Sequence, residues 1–293
     1  MYQKIVAVVL AVTSFFLGIK YNIKKPADLT DGGIRVHYAE AQCNYMDIYL
    51  PQKIGEKQDV VLAVHGGAWM SGDQTMFTKY AKKAAKLGYV GVTVDYSKTL
   101  NKATAQTMVD EIHTAIGVLK EVLAARGIRP DKLLLFSHSA GSHLALLYAY
   151  THHADCPIPI GFLAALSSPA DLRLEKDGKT SIEKWRSTLL TCLTGENITD
   201  RTIDTTEGRA AVAAINPIDH VTPDVPPTLL AHGNADNVVP YENSVNLKEK
   251  LLANGVPCEL LTFEGQPHFL SRAPQKMQDE LLEKMLEWAK RYM

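Results

Sequence analysis

The sequence has little cysteine and no surplus of charge of either sign. Four cysteines occur in 293 residues, and none of them shows the Cys-x-x-Cys spacing that zinc sites use. The 31 Lys and Arg against 32 Asp and Glu give a net charge of −1, which leaves no cationic surplus for a phosphate backbone. We therefore expect neither a disulfide scaffold nor a nucleic-acid-binding protein. A hydrophobic share of 46% is typical of a globular chain.

An uncharged apolar run near the N-terminus, residues 5–19, differs from the rest of the chain. As a helix it would span roughly 22 Å, which is short of the ~30 Å hydrocarbon layer of a membrane. Its length fits the upper end of a signal-peptide core, but no clear A-x-A cleavage site follows. The sequence predicts that residues 1–25 are a cleaved signal peptide or an uncleaved anchor, so that the protein is exported or attached to a membrane. A buried first helix of the domain is the third interpretation.

Five nearly continuous apolar runs predict strands that are covered on both faces. These runs are residues 60–64, 90–94, 133–136, 162–166 and 228–231. Two earlier segments, residues 34–38 and 45–50, alternate apolar and polar residues as half-exposed antiparallel edge strands do. The sequence thus predicts a mostly parallel sheet with antiparallel strands on its N-terminal side.

Helical patterns lie between the predicted strands. Apolar residues recur at steps of three and four in residues 104–126, and residues 243–253 and 275–292 show the same pattern. This alternation predicts a doubly wound α/β domain, which we place at residues 33–293. Residues 172–215 interrupt the alternation with a polar, helix-prone stretch that is longer than a connecting loop needs to be. We interpret this stretch as a cap inserted over the strand ends.

One serine stands where a predicted strand turns into a helix. Ser139 lies between the run 133–136 and an apolar helical stretch, in the pattern Ser137-x-Ser139-x-Gly141. A sharp turn of this kind leaves a serine hydroxyl free at the C-terminal edge of a sheet, beside unpaired helix N–H groups. The nucleophile elbow has glycine where Ser137 stands. Taken alone, the segment also fits a serine that only caps the helix.

Three further segments place polar groups at or after predicted strand ends. A glycine-rich loop, residues 65–68, follows the run 60–64, and glycine allows its N–H groups to point into a site. Asp236 lies just past the run 228–231, and His268 lies in a loop before the last helix. Because the carboxyl ends of parallel strands meet at one sheet edge, Ser139, Asp236 and His268 can converge there.

Together these four segments resemble the α/β-hydrolase superfamily. The loop His-Gly-Gly-Ala-Trp at 65–69 and the stretch 226–236 are similar to hormone-sensitive-lipase-like and feruloyl-esterase-like carboxylesterases. The resemblance runs from residue 34 to the C-terminus. It implies the α/β-hydrolase fold and a serine carboxylesterase that hydrolyses small to medium esters through an acyl-enzyme, without cofactor or metal.

The resemblance also implies roles for single residues. Ser139 would be the nucleophile, His268 the general base, and Asp236 the group that orients the imidazole. The N–H groups expected to hold the oxyanion belong to Gly66, Gly67, Ala68 and Ala140. Family members often carry glycine where Ala68 stands; only its N–H is used, so alanine can serve there if its φ is negative. The side chains expected at the substrate are Trp69, His138 and Trp185.

Other polar residues receive structural interpretations. The histidines at 138, 143, 152 and 153 have no zinc-site spacing, so no metal is predicted. We interpret Asp95 and Tyr96 as a buried structural pair, and Asp73 as a turn or helix cap.

Two competing functions remain open. The triad of Ser139, His268 and Asp236 can also cleave amides, so an arylformamidase or exopeptidase is an alternative. Peptidase relatives usually carry a large extra N-terminal domain, and only about 33 residues precede the first predicted strand, which favours an esterase. A non-catalytic binding protein with this fold would normally lack a triad residue, whereas all three are present. Nothing in the sequence identifies the acyl group.

Overall fold

The computed structural model describes residues 24–174 and 180–293, and its centre is a nine-stranded sheet. The strands are β1 Lys24–Asp28, β2 Ile34–His37, β3 Tyr45–Tyr49, β4 Lys57–Val64, β5 Val90–Val94, β6 Arg129–His138, β7 Ile160–Leu166, β8 Thr228–Gly233 and β9 Cys258–Phe263. Their order is β1-β2-β3-β5-β4-β6-β7-β8-β9. Strands β1, β2 and β3 pair antiparallel, and all pairs from β5 to β9 are parallel. The predicted mostly parallel sheet is confirmed.

Helices cover both faces of this sheet. They are α1 Thr78–Lys86, α2 Ala105–Ala124, α3 Ala140–His152, α4 Ser181–Lys184, α5 Arg186–Thr194, α6 Thr206–Ala214, α7 Glu242–Ala253 and α8 Gln275–Tyr292. Strand β4 shows why its sequence is apolar throughout. Val60, Leu62 and Val64 face one core with α2 and α3, whereas Val61 and Ala63 face a second core with α1 and α8. The doubly wound α/β prediction is therefore confirmed.

The structure corrects the predicted start of the domain. Strand β1 pairs with β2, so the sheet begins before residue 33, and β1 rather than β2 is the edge strand. Strand β3 lies inside the sheet and is mostly buried, because it pairs with both β2 and β5. Strand β9, which precedes His268, and helix α1 were not assigned bounds from the sequence. Helix α1 buries only two small residues, Ala81 and Ala84.

The predicted cap and the predicted N-terminal segment have different outcomes. Helices α4, α5 and α6 lie between β7 and β8, as expected for an insertion at 172–215. The cap is tied to the loop after β8, because Ser181 and Ile182 donate their N–H groups to the carbonyls of Asn237 and Val238. The apolar run 5–19 lies outside the described residues, so the signal peptide or anchor stays a prediction. Within residues 24–174 and 180–293, no helix is long and apolar enough to cross a membrane.

Candidate active site

Ser139 lies in a strained turn between β6 and α3. Its φ is 57° and its ψ is −128°, a conformation that a residue with a side chain rarely adopts. The Ser139 N–H donates to Leu166 O at 2.9 Å, which ties the turn to the end of β7. A Cβ at Gly141 would lie 2.3 Å from Val64 O, so glycine is required for α3 to pass this close to β4. The serine side chain makes no helix-capping bond, which argues against the capping interpretation.

Three strand ends bring three polar side chains into one line. The Oγ of Ser139 lies 2.8 Å from Nε2 of His268, and Nδ1 of His268 lies 2.7 Å from Oδ2 of Asp236. Asp236 follows β8 and His268 follows β9. The convergence expected from the order of the sequence segments is what the geometry shows. Asp236 and His268 are buried, whereas Ser139 is half-buried and borders a cavity.

The carboxylate of Asp236 is held at both oxygens. Oδ1 accepts the N–H groups of Val238 and Val239 at 2.7 and 2.9 Å, and Oδ2 accepts from His232 Nε2 at 3.1 Å in addition to His268. Burial disfavours its charge, but the hydrogen bonds from His232 and His268 hold the pKa of Asp236 well below its usual range. Sequence reasoning gave no role to His232, although its i, i+4 spacing from Asp236 was the available signal.

His138 contacts the loop that carries His268 rather than the cavity. Its Nε2 lies 3.0 Å from the backbone carbonyl of His268, which also accepts from Ser167 Oγ at 3.0 Å. Burial, together with the nearby His268, lowers the pKa of His138 to about 4, so the ring is neutral near pH 7. The expected substrate contact is not supported, because His138 does not line the cavity and its Nε2 is engaged by the His268 loop.

The glycine-rich loop turns sharply beside Ser139. Gly67, Ala68 and Trp69 all have positive φ, at 122°, 53° and 59°. The condition that alanine at position 68 has a negative φ is therefore not met. The turn is closed by the N–H groups of Met70 and Ser71, which both donate to Gly67 O, and this tight closure requires left-handed backbone. The N–H groups of Gly66, Gly67, Ala68 and Ala140 make no hydrogen bond with the described part of the chain.

A buried polar network lies behind this loop. His65 Nδ1 is 2.5 Å from Gly66 O, and His65 Nε2 is 3.0 Å from Asp95 Oδ1. Tyr96 donates its hydroxyl to His65 O at 2.7 Å, and Lys98 Nζ contacts Asp95 Oδ1. The structural interpretation of Asp95 and Tyr96 agrees with these contacts. Burial opposes the charge of Asp95, yet bonds from His65 and Lys98 keep its pKa below the usual value. Sequence reasoning missed the buried Lys98.

A cavity of about 390 Å³ opens from Ser139 toward the cap. Its lining is mostly apolar and comprises Ala68, Trp69, Met70, Thr99, Ser139, Pro169, Ser181, Ile182, Trp185, Thr188, Leu189, Cys192, Leu193, Val238 and Val239. Trp69 is buried and its Nε1 donates to His143 Nδ1 at 3.2 Å, whereas Trp185 is 64% exposed. Both tryptophans line the cavity, and their contact with substrate stays a prediction.

No metal centre accompanies this cavity. Among the described residues, no group of three His, Cys, Asp or Glu side chains could hold an ion. Asp73 accepts from Thr75 N at 2.8 Å and caps a short 3₁₀ helix, as its structural interpretation expected.

A match to a family model identifies the family of this chain. A family profile, BD-FAE, matches residues 46–251, which is more than half of the chain. The chain belongs to the BD-FAE family. The resemblance to α/β-hydrolase carboxylesterases is confirmed by this match and by the relatives found with it.

Two curated relatives of this BD-FAE chain are described as esterases. Isoprenylcysteine alpha-carbonyl methylesterase ICME of Arabidopsis thaliana is 24% identical over 84% of this chain and 59% of the relative. Esterase LipQ of Mycobacterium tuberculosis is 27% identical over 69% of this chain and 48% of the relative. The chain therefore spans about half to three fifths of the length of these relatives.

Solved structures share the fold of this BD-FAE chain. Thermogutta terrifontis esterase 2, in a form phosphonylated by sarin, superimposes with a TM-score of 0.72 at 21% identity. The match covers 89% of this chain and 95% of that chain. Esterase B from Lactobacillus rhamnosis has a TM-score of 0.71 at 18% identity over 98% of this chain and 96% of that chain. These likenesses confirm the α/β-hydrolase fold.

Proposed function

We propose that the protein is a serine carboxylesterase that hydrolyses small to medium carboxylic esters through an acyl-enzyme. The observation that carries this proposal is the hydrogen-bonded line from Ser139 Oγ through His268 to Asp236, at distances of 2.8 and 2.7 Å. A neutral hydroxyl is a poor nucleophile until a base takes its proton, and His268 Nε2 lies where that transfer occurs. The esterase relatives support the same reaction class.

In the proposed reaction, Ser139 Oγ attacks the ester carbonyl as His268 Nε2 takes its proton. The carbonyl oxygen becomes an oxyanion, and the tetrahedral intermediate collapses when His268 returns the proton to the leaving alcohol. Water then attacks the acyl-enzyme by the same steps and releases the acid and Ser139. Asp236 holds Nδ1 of His268, so that Nε2 faces Ser139 and the imidazolium is stabilised.

The oxyanion would be bound by backbone N–H groups on both sides of Ser139. Ala140 begins α3, and its N–H is one of the helix groups that no carbonyl of the described chain accepts. Gly66, Gly67 and Ala68 supply the other donors from the turn held by the His65 network. Because these donors are fixed before substrate binds, they need no reorganisation in the transition state.

The substrate would place an apolar group in the cavity beneath the cap. Among the described residues that line this cavity, none carries a formal charge, so a charged acyl or alkyl group would lose its hydration without gaining a partner from them. The side chains that would contact the group include Trp69, Trp185 and Leu189. An uncharged, apolar acyl or alkoxy group fits this lining.

A panel of nitrophenyl esters of increasing acyl length tests the proposal directly. Acetylated and feruloylated sugars and formylkynurenine extend the panel to other alcohols and to an amide. We expect ester hydrolysis that persists in a chelator, and covalent labelling of Ser139 by a fluorophosphonate probe. Labelling of a different serine, or turnover of the amide alone, would overturn the assignment.

A further inference from the structure

Asp236 is contacted by two histidines, and only one of them reaches Ser139. His232 is fully buried on β8, and its Nε2 lies 3.1 Å from the same Oδ2 that accepts from His268. We propose that His232 is a positioning residue that sets, through Asp236, how tightly His268 holds its catalytic proton. This inference rests on the proposed serine esterase function.

The surroundings of His232 assign its proton. Nε2 faces two acceptors, Oδ2 of Asp236 and the carbonyl of Val239 at 3.3 Å, so Nε2 carries a hydrogen. Nδ1 lies 2.7 Å from Oγ of Ser244, whose hydroxyl can donate to it. Both ring nitrogens are therefore engaged, and the imidazole is aimed at the carboxylate.

The carboxylate of Asp236 accepts four hydrogen bonds from the described part of the chain. Two come from the N–H groups of Val238 and Val239, and two come from the imidazoles of His232 and His268. Each donor disperses negative charge from the carboxylate. Without His232, only His268 would donate to Oδ2, and this oxygen would carry more negative charge. The protonated form of His268 would then be stabilised more strongly, so His268 would bind a proton more tightly.

Since His268 must be neutral to accept the Ser139 proton, tighter proton binding moves the acid limb of kcat/KM to higher pH. Within residues 24–174 and 180–293, the titratable groups that face Asp236 and His232 are His268, His138 and Tyr241. Burial keeps His138 neutral above a pKa of about 4, so it does not titrate across the expected limb. A residue that served packing alone would lower stability without moving the limb.

The test compares pH profiles of kcat/KM for a nitrophenyl ester. We expect His232→Met to move the acid limb upward by about 0.5 pH unit or more. His232→Gln, which can present an amide N–H near the position of Nε2, should recover part of that shift. The matched control is His143→Met, because His143 is equally buried, accepts from Trp69 and lies 2.8 Å from a backbone carbonyl rather than a carboxylate.

The control variant, His143→Met, should leave the acid limb of kcat/KM at the same pH even if it lowers the rate. An unmoved limb in folded His232→Met, or an equal shift in His143→Met, would overturn the inference. If His232→Met does not fold or is too slow to profile, Ser244→Ala decides, since it removes the partner of Nδ1 and should shift the limb in the same direction by less. A stationary limb in that variant would then overturn the proposal. Ser139→Ala distinguishes the two proposals, because activity that persisted in this variant would contradict the serine esterase mechanism itself.

Discussion

The two sides of Ser139 are built from different kinds of interaction. On one side, His268 and Asp236 are held by directional hydrogen bonds at both ring nitrogens and both carboxylate oxygens. On the other side, the cavity wall is apolar, and Trp185 at its edge is 64% exposed. Hydrogen bonds fix atoms to a few tenths of an ångström, whereas apolar contacts tolerate rearrangement. Changes on the polar side should therefore slow every substrate, and changes on the cavity side should alter their ranking.

The largest effect should come from Ser139→Ala, which removes the proposed nucleophile. We expect kcat to fall on the order of 10⁵–10⁶-fold for every ester, because the neighbouring groups then have no attacking atom to activate. The measurement is turnover of the nitrophenyl panel, with circular dichroism to show that the fold persists. Residual activity of a few per cent in contaminant-free protein would contradict the assignment of Ser139 as the nucleophile.

Asp236→Asn should have the next largest effect. An amide at this position cannot accept from His268 in the same way, so the imidazole is left in the wrong tautomer. We expect kcat to fall by about 10⁴-fold and KM to change little, equally for short and long acyl chains. Steady-state kinetics across the panel measures both. A loss that depended on acyl length would place Asp236 in substrate selection and contradict the separation of the two sides.

Gly67→Ala tests the glycine-rich loop, residues 65–68, whose N–H groups would bind the oxyanion. This loop lies between the polar side and the cavity side. A Cβ there would lie 2.1 Å from Ser71 O, so the turn must shift and carry its N–H groups away from the oxyanion. Loss of one such donor typically lowers kcat by about 10²–10³-fold. Gly88→Ala is the matched control: its φ is also positive, at 96°, but no atom lies within 4 Å of the added Cβ. The control should lose some stability and keep its kcat, and a similar loss of rate in both variants would contradict the assignment.

The polar side was more predictable from the sequence than the cavity side, for a physical reason. Ser139, Asp236 and His268 each follow a strand of a parallel sheet, and such strands end at one edge. The position of each residue directly after such a strand therefore brings the three side chains together. His232, the second imidazole that contacts Asp236, was not predicted. It lies within β8, where a buried histidine is interpreted as part of the core.

Backbone geometry and the cap were less predictable. The positive φ of Ala68 follows from the two N–H groups that converge on Gly67 O, a closure that residue type does not reveal. In the cap, Trp185, Leu189 and Leu190 are spaced to share one helical face. The structure instead places Trp185 between α4 and α5 and directs Leu190 into the main core. Which face of a short helix meets a cavity depends on tertiary packing.

The smallest effect on rate should come from Trp185→Ala, which tests the cavity side alone. This change enlarges an apolar cavity next to Ser139, so it should alter the ratio of kcat/KM between short and long acyl esters by about 1–3 kcal/mol at most. Since Trp185 is largely exposed, the free energy of unfolding should fall by less than about 1 kcal/mol. Leu190→Ala is the matched control, because Leu190 is 1% exposed, does not line the cavity and should cost about 2–5 kcal/mol of stability with an unchanged acyl profile. Thermal unfolding and the acyl-length profile of both variants give the answer. A Trp185 variant that loses stability and keeps its profile would show that the tryptophan only packs the cap, and substrate selection would then rest on the buried Trp69 and the β8 loop.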